Sequence, residues 1–150
     1  MTPAHAGVER NIKDVMGRES MENHKLFKVN QNAIIQNNTG EILILQKDGK
    51  WMLPGGRLED EGWLQGLKRE VKEETEIENF EVKEILNVDM SDSGETYIVT
   101  FLCRVEDTPN ITLSHEHQEY NWLKLEDFEK YEFWHEKIKD RLKILLRVGE

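Results

Sequence analysis

The chain of 150 residues predicts a layered α/β sandwich with a mixed sheet. Three observations predict it. Strand-like and helix-like segments interleave without the strict alternation of a doubly wound fold. The run Tyr97 to Val105 (YIVTFLCRV) is almost wholly apolar, as a strand covered on both faces should be. Two segments carry apolar residues at helical spacing, so each offers one face to a sheet. The length suits one domain with a real core.

Each element follows in order. Residues 1–22 hold Val8, Ile12, Val15 and Met16, one or two amphipathic turns closed by Gly17. They are expected to be a peripheral extension without catalytic role, or else a dimer contact. Residues 23–150 are expected to form the domain. Segments 25–36 and 41–47 read as strands around the turn Asn37-Asn38-Thr39-Gly40. A short strand at 50–53 leads into a glycine pair, and a helix is predicted over 62–75. Its apolar stripe is Leu64, Leu67 and Val71, with Trp63 on the flank. Strands follow at 79–89 and 95–106, joined by Ser91-Asp92-Ser93-Gly94. The second of these is expected to be central in its sheet. Thr108-Pro109-Asn110 breaks the chain. A strand at 118–123 precedes a helix over 133–147, whose buried stripe is Phe133, Ile138, Leu142, Leu145 and Leu146.

Composition narrows the function. The net charge is −10 and the pI is near 5.0. That argues against nucleic-acid and anionic-membrane binding. A small phosphorylated substrate still fits, because bound cations and a local Arg or Lys reverse the sign within a site. The single cysteine, Cys103, excludes an intrachain disulfide and suits a reducing, cytoplasmic location. It lies in an apolar strand and reads as a buried, inert thiol. No apolar run approaches the roughly 20 residues of a membrane span.

The chemistry concentrates in residues 55–77 (GGRLEDEGWLQGLKREVKEETEI). At about 100° per residue, Glu70, Glu73 and Glu74 share one helix face. Like charges so placed destabilise a helix by roughly 0.2–0.5 kcal/mol per pair. A divalent cation over the face reverses that sign, and hard cations such as Mg²⁺ take carboxylate oxygens together with water and substrate phosphates. The apolar stripe on the other side makes the helix a rigid mount.

This stretch resembles the Nudix box, G-x5-E-x7-R-E-U-x-E-E-x-G-U, where U is bulky and aliphatic. Gly55, Glu61, Arg69, Glu70, Val71, Glu73, Glu74 and Ile77 match in register, counted from the first glycine of the pair. Glu76 stands where the pattern has Gly. The family position lies near the helix end, where a left-handed residue is common. A non-Gly residue there is expected to lose about 1 kcal/mol.

The resemblance implies a Nudix-type α/β/α sandwich with a mixed central sheet. It also implies a metal-dependent hydrolase of the MutT-like kind, with Mg²⁺ as cofactor and Mn²⁺ as an alternative. Glu70, Glu73 and Glu74 would then supply the metal face, completed by Gly55 from the turn. Arg69 would position the carboxylates, and Glu61 with Gly56 would brace the loop against the helix. Water would attack phosphorus in a nucleoside diphosphate linked to another group. Glu70 is one candidate for the base. Another is a carboxylate outside the box, within His115-Glu116-His117-Gln118-Glu119-Tyr120-Asn121-Trp122. Glu119 is the first choice there, as metal ligand and base, and Glu116 the second. The alternative, that both only solvate a loop, weighs about equally. A zinc site at His115 and His117 lacks a third ligand, and exposed loop histidines are the preferred reading. Trp51, Trp122, Phe101 and Tyr97 could stack a nucleobase, but each also suits a core position.

Neither the proline that marks ADP-ribose specificity nor the tyrosine that marks dinucleoside polyphosphates stands in the window beyond the box, Asp92 to Glu95. By elimination the expected substrate is a nucleoside triphosphate, oxidised or non-standard forms included. ADP-ribose and nucleotide sugars are the alternatives. A Nudix-fold module that binds a nucleotide without turnover is a further alternative, although the chain keeps every box carboxylate. The resemblance also admits a homodimer.

Overall fold

The computed structural model describes residues 24–148, so the expected N-terminal extension lies outside the described residues. In chain order the elements are β1 (Lys28–Gln36), β2 (Ile42–Lys47), β3 (Lys50–Met52), β4 (Gly55–Arg57), α1 (Trp63–Thr75), β5 (Glu81–Met90), β6 (Thr96–Arg104), β7 (Glu119–Leu123), a 3₁₀ turn (Leu125–Lys130) and α2 (Glu136–Val148).

Asn37 closes the first hairpin. Its side-chain oxygen accepts from the backbone N–H groups of Thr39 and Glu41, at 3.1 and 2.8 Å, a local bond pattern that favours turns. The hairpin strands pair only at Gln36 and Ile42, and then diverge. β1 runs parallel to β6 along its whole length, from Lys28 opposite Thr96 to Gln36 opposite Arg104. β4 lies antiparallel on the other edge of β1, and β5 lies antiparallel outside β6. β2 pairs antiparallel with β3 and β7. The sheet is therefore mixed, and β6 is flanked on both sides as its apolar sequence requires.

β2 shows why the fold needs two covering layers. Ile42, Leu43, Ile44 and Leu45 are all fully buried. Successive side chains point to opposite faces. Leu43 and Leu45 join the core that contains Leu67 and Val71 of α1. Ile42 and Ile44 join the one that contains Ile138, Leu142 and Leu145 of α2. One helix thus covers each face, which makes the α/β/α sandwich.

The helices depart from expectation in three places. Leu64 is 40 % exposed instead of buried. Trp63 makes the contact to the sheet in this first turn, its ring stacked on Phe101 with centroids 5.2 Å apart. α2 starts at Glu136. Phe133 is buried but belongs to an irregular bridge to Trp51, stitched by Trp51 N–H to the Glu132 carbonyl and Trp134 N–H to the Trp51 carbonyl. Leu146 is only partly buried. The segment over Gly55–Arg57 forms a strand as well as a turn, and the 3₁₀ turn had no apolar period to announce it. Among the described residues no helix is long and apolar enough to cross a membrane.

Glu76 caps α1 in the left-handed conformation, φ 63° and ψ 12°, and its N–H bonds the Lys72 carbonyl at 2.9 Å. A side chain occupies a geometry usually given to glycine.

Candidate active site

The site forms where β4 meets α1. Gly55 approaches β1 so closely that any Cβ would overlap the Gln31 carbonyl oxygen, and at Gly56 a Cβ would run into the Glu70 carboxylate. The two glycines therefore bring bare backbone against the carboxylate face of the helix. The Gly55 N–H donates to Glu74 Oε1 at 2.7 Å.

Arg69 organises the other carboxylates. Its Nε donates to Glu61 at 3.0 Å, its Nη2 to Glu61 Oε1 at 2.6 Å and its Nη1 to Glu70 Oε1 at 2.9 Å. Glu73 lies 3.4 Å from Nη1, with its side chain 58 % exposed. One planar guanidinium thus serves three carboxylates, a use of its donor fork that a lysine cannot copy. Glu61, in the segment before α1, and Arg69 on the helix form a bidentate pair.

The electrostatics follow from burial and proximity. The hydrogen bond from Arg69 holds Glu61 below the usual carboxylate range, and Glu61 raises Arg69 in return. Burial raises Glu70 against the opposing pull of Arg69. Glu74 is 7 % exposed. Burial pushes its carboxyl up to about 8 against the Gly55 N–H, with Glu70, Glu116 and Glu73 adding repulsion. A carboxylate so placed favours an added cation.

The carboxylates form a hard-oxygen set, which suits Mg²⁺ or Mn²⁺. Among the described residues, no three acidic, cysteine or histidine side chains converge into a finished cage. That arrangement is compatible with Mg²⁺, which keeps several waters and binds through one or two carboxylates plus substrate phosphates. The glycine cradle around Glu70 and the buried Glu74 thus fit such an ion.

In the stretch after the central sheet, His117 departs from expectation. Glu119 opens β7 opposite Gln46 and is exposed; among the described residues no hydrogen bond or ion pair links it to the helix face. Glu116 is the acidic residue of this stretch whose charge acts on Glu74. His117 is not an exposed loop histidine. It is 7 % exposed, with Nε2 3.5 Å from Glu74 Oε2. Burial lowers its pKa. His115 is exposed. Nothing in the sequence pattern separates the two histidines, because their burial depends on a loop docking onto a helix 40 residues away.

Of the aromatics, Phe101 is core and Trp122 packs against the α1-side core. Trp51 meets Tyr131 edge-on at 5.5 Å. Tyr97 is 39 % exposed, against Phe27 at 4.9 Å. Cys103 is buried, and burial pushes its thiol up to about 12. That leaves it inert, as expected.

A cavity of about 400 Å³ opens beside Gly55 and Gly56, with Asn30, Asn32 and Ile98 on the sheet side and Trp134 and Lys47 among its other walls. A larger hollow of about 830 Å³ lies around Glu76, Glu78 and Arg104. It touches none of the glycine backbone that carries the chemistry, so the smaller cavity is the relevant one.

Comparison with known proteins agrees with this geometry. The family model described as NUDIX domain matches residues 26–142. A MutT protein from Methanosarcina mazei Go1 is 28 % identical, with a TM-score of 0.70 over 85 % of this chain and 98 % of that one. The E. coli ORF135 protein is 27 % identical, with a TM-score of 0.67 over 83 % of this chain and 91 % of that one. A C. elegans Ap4A hydrolase shares the fold at 23 % identity, TM-score 0.68, over 79 % of this chain and 96 % of that one. Glycine cradle, Arg69 fork, box carboxylates and family match converge: the chain belongs to the NUDIX domain family and is a Nudix hydrolase, of the enzymes that act on nucleoside diphosphate derivatives.

Proposed function

We propose that this Nudix hydrolase uses Mg²⁺, or Mn²⁺, to split a nucleoside triphosphate, oxidised or non-standard forms included, into the monophosphate and pyrophosphate. One observation carries the reading: Gly55 and Gly56, whose bare backbone meets the carboxylate face of α1, also line a cavity of about 400 Å³. That volume falls within the range of small-molecule sites. Asn30, Asn32 and Trp134 border it, residue types that suit a polar, planar base. Lys47 beside it supplies positive charge for a polyphosphate.

Glu70, Glu73 and Glu74 would hold the cation, with the Gly55 backbone beside them. The bound cation would neutralise the diphosphate and lower the pKa of the attacking water. The chain's own residues then have defined tasks. Arg69 keeps Glu70 and Glu73 from splaying apart. A carboxylate accepts one proton of the water, with Glu70 the candidate within the box and Glu116 or Glu119 outside it. The water oxygen bonds to the α- or β-phosphorus and the anhydride bond between the two breaks, so that pyrophosphate or the nucleoside monophosphate, respectively, departs with the electron pair. On this reading the enzyme works in the cytoplasm on a free nucleotide, with a homodimer as the assembly that the resemblance admits.

The test is phosphate and pyrophosphate release from nucleoside triphosphates, oxidised nucleotides, ADP-ribose and nucleotide sugars, with Mg²⁺, Mn²⁺ or chelator. Metal-dependent release of pyrophosphate from a triphosphate supports the proposal. Turnover of ADP-ribose or a nucleotide sugar alone replaces the substrate. Metal and nucleotide binding without turnover of any member replaces the catalytic reading with that of a binding module.

A further inference from the structure

The loop from Ile111 to Gln118 is tied to the last turn of α1. A helix end leaves carbonyl groups without partners inside the helix. Here the Thr112 N–H donates to the Thr75 carbonyl at 3.2 Å and the Ser114 N–H to the Glu74 carbonyl at 3.3 Å. Ile111 anchors the loop in the α1-side core, and the Gln118 N–H fastens its far end to the Gln46 carbonyl at 2.9 Å. The loop therefore has a fixed seat against the box helix.

From that seat the loop delivers His117. Its side chain is 1 % exposed, and Nε2 stands 3.5 Å from Glu74 Oε2, whose side chain is 9 % exposed. On the other side of the ring, Nδ1 lies 3.3 Å from Ser114 Oγ. A neutral imidazole has one N–H, and its placement depends on the bond made by the other nitrogen. When the Ser114 hydroxyl donates to Nδ1, the proton sits on Nε2, the ring nitrogen on the Glu74 side, at ion-pair distance from Oε2. Glu74 Oε1 already accepts from the Gly55 N–H at 2.7 Å. Oε1 thus takes a hydrogen bond from β4, and Oε2 has the loop imidazole within ion-pair distance.

We infer that His117 is a positioning residue for the reaction: with Gly55 it fixes the rotation of the Glu74 carboxylate, and Ser114 sets the tautomer that lets it do so. Ligand orientation by such an outer partner is typically worth 10–100-fold in metal affinity or activity. The inference rests on the reading that Glu74 is a cation ligand. It adds that a loop remote in sequence tunes that ligand without touching the cation.

The test measures Mn²⁺ affinity from the electron-spin signal of the free ion, alongside kcat, KM and thermal melting. The variants are His117→Leu, which fills space without a donor, His117→Gln, which restores an N–H near Nε2, Ser114→Ala and Glu74→Gln. The expected result is roughly 10–100-fold weaker Mn²⁺ binding and lower kcat in His117→Leu, with little change in KM. His117→Gln recovers most of the loss, and Ser114→Ala falls between. If His117→Leu fails to fold, Ser114→Ala against wild type carries the comparison. Wild-type Mn²⁺ affinity in a folded His117→Leu overturns the inference. So does equal damage in the Leu and Gln variants, which shows packing alone. If Glu74→Gln itself binds Mn²⁺ like wild type, the cation site is misplaced; if only the His117 variants do, the site stands and this inference falls.

Discussion

Glu74→Gln should make the metal-free protein more stable while removing its function, and the gain should depend on pH. The carboxyl is buried and pushed up from its ordinary 4.5 to about 8. A carboxyl with a raised folded pKa binds its proton more tightly folded than unfolded. Its contribution is whole below about pH 4.5 and is lost as pH rises through about 8. At 1.36 kcal/mol for each tenfold change, the full rise corresponds to on the order of 5 kcal/mol, and at pH 7 to on the order of 3 kcal/mol. Glutamine keeps an oxygen for the Gly55 N–H, has a similar shape and never ionises. The assay is urea unfolding in chelator of wild type and variant, near pH 4, 7 and 9, with the midpoint and slope compared at each. The two proteins should nearly coincide at the acid end and separate by several kcal/mol at the alkaline end, the variant being the more stable. The difference largely removes the general effect of net charge, −10 in the wild type and one unit less negative in the variant. A gap that is absent or independent of pH would refute the burial argument. So would a variant less stable than wild type at high pH, which would show the carboxylate already satisfied without a cation.

Three further outcomes follow from other contacts. Glu76→Gly should stabilise the fold by about 1 kcal/mol, because φ is 63° there, and raise the melting temperature with unchanged turnover; an unchanged or lower melting temperature would refute the strain. Arg69→Lys should lower kcat by roughly tenfold or more, since an ammonium cannot serve Glu61, Glu70 and Glu73 together; steady-state kinetics with saturating metal decide it. Asp89→Ala should destabilise by roughly 3–5 kcal/mol, read by urea unfolding. It strips the partner from Arg141, which is 2 % exposed and donates to Asp89 through Nε at 3.0 Å.

The parts of this molecule that local pattern controls were legible in the sequence. The box residues 69–74 sit on one helix because their spacing is helical, and Leu67 with Val71 enters the core for the same reason. β6 is flanked on both sides, in keeping with a run that is almost wholly apolar. Glu76 adopts the left-handed cap that the box pattern assigns to its position. What stayed hidden depends on partners distant in sequence. Leu64 has the right spacing for burial, but the bulkier Trp63 found Phe101 first. Phe133 looks like the first residue of a helix stripe, yet its backbone neighbours bond Trp51 across the sheet. His117 and His115 are two residues apart in one polar run. Only the docking of the loop on the end of α1 buries one and leaves the other in solvent. The position of Glu119 on β7, opposite Gln46, is likewise a matter of strand register, which the order of residues did not specify.

The most direct test of the central claim measures turnover of the best panel substrate across a Mg²⁺ titration for wild type and Glu73→Gln. Glu73 is the exposed member of the carboxylate face, with its side chain 58 % exposed, so its replacement leaves the core untouched. The account predicts no turnover in chelator, saturable activation by Mg²⁺, and in the folded variant a loss of most kcat with a rightward shift of the metal curve. Equal rates for the two proteins, or full activity in chelator, would contradict the assignment of this helix face to a catalytic cation.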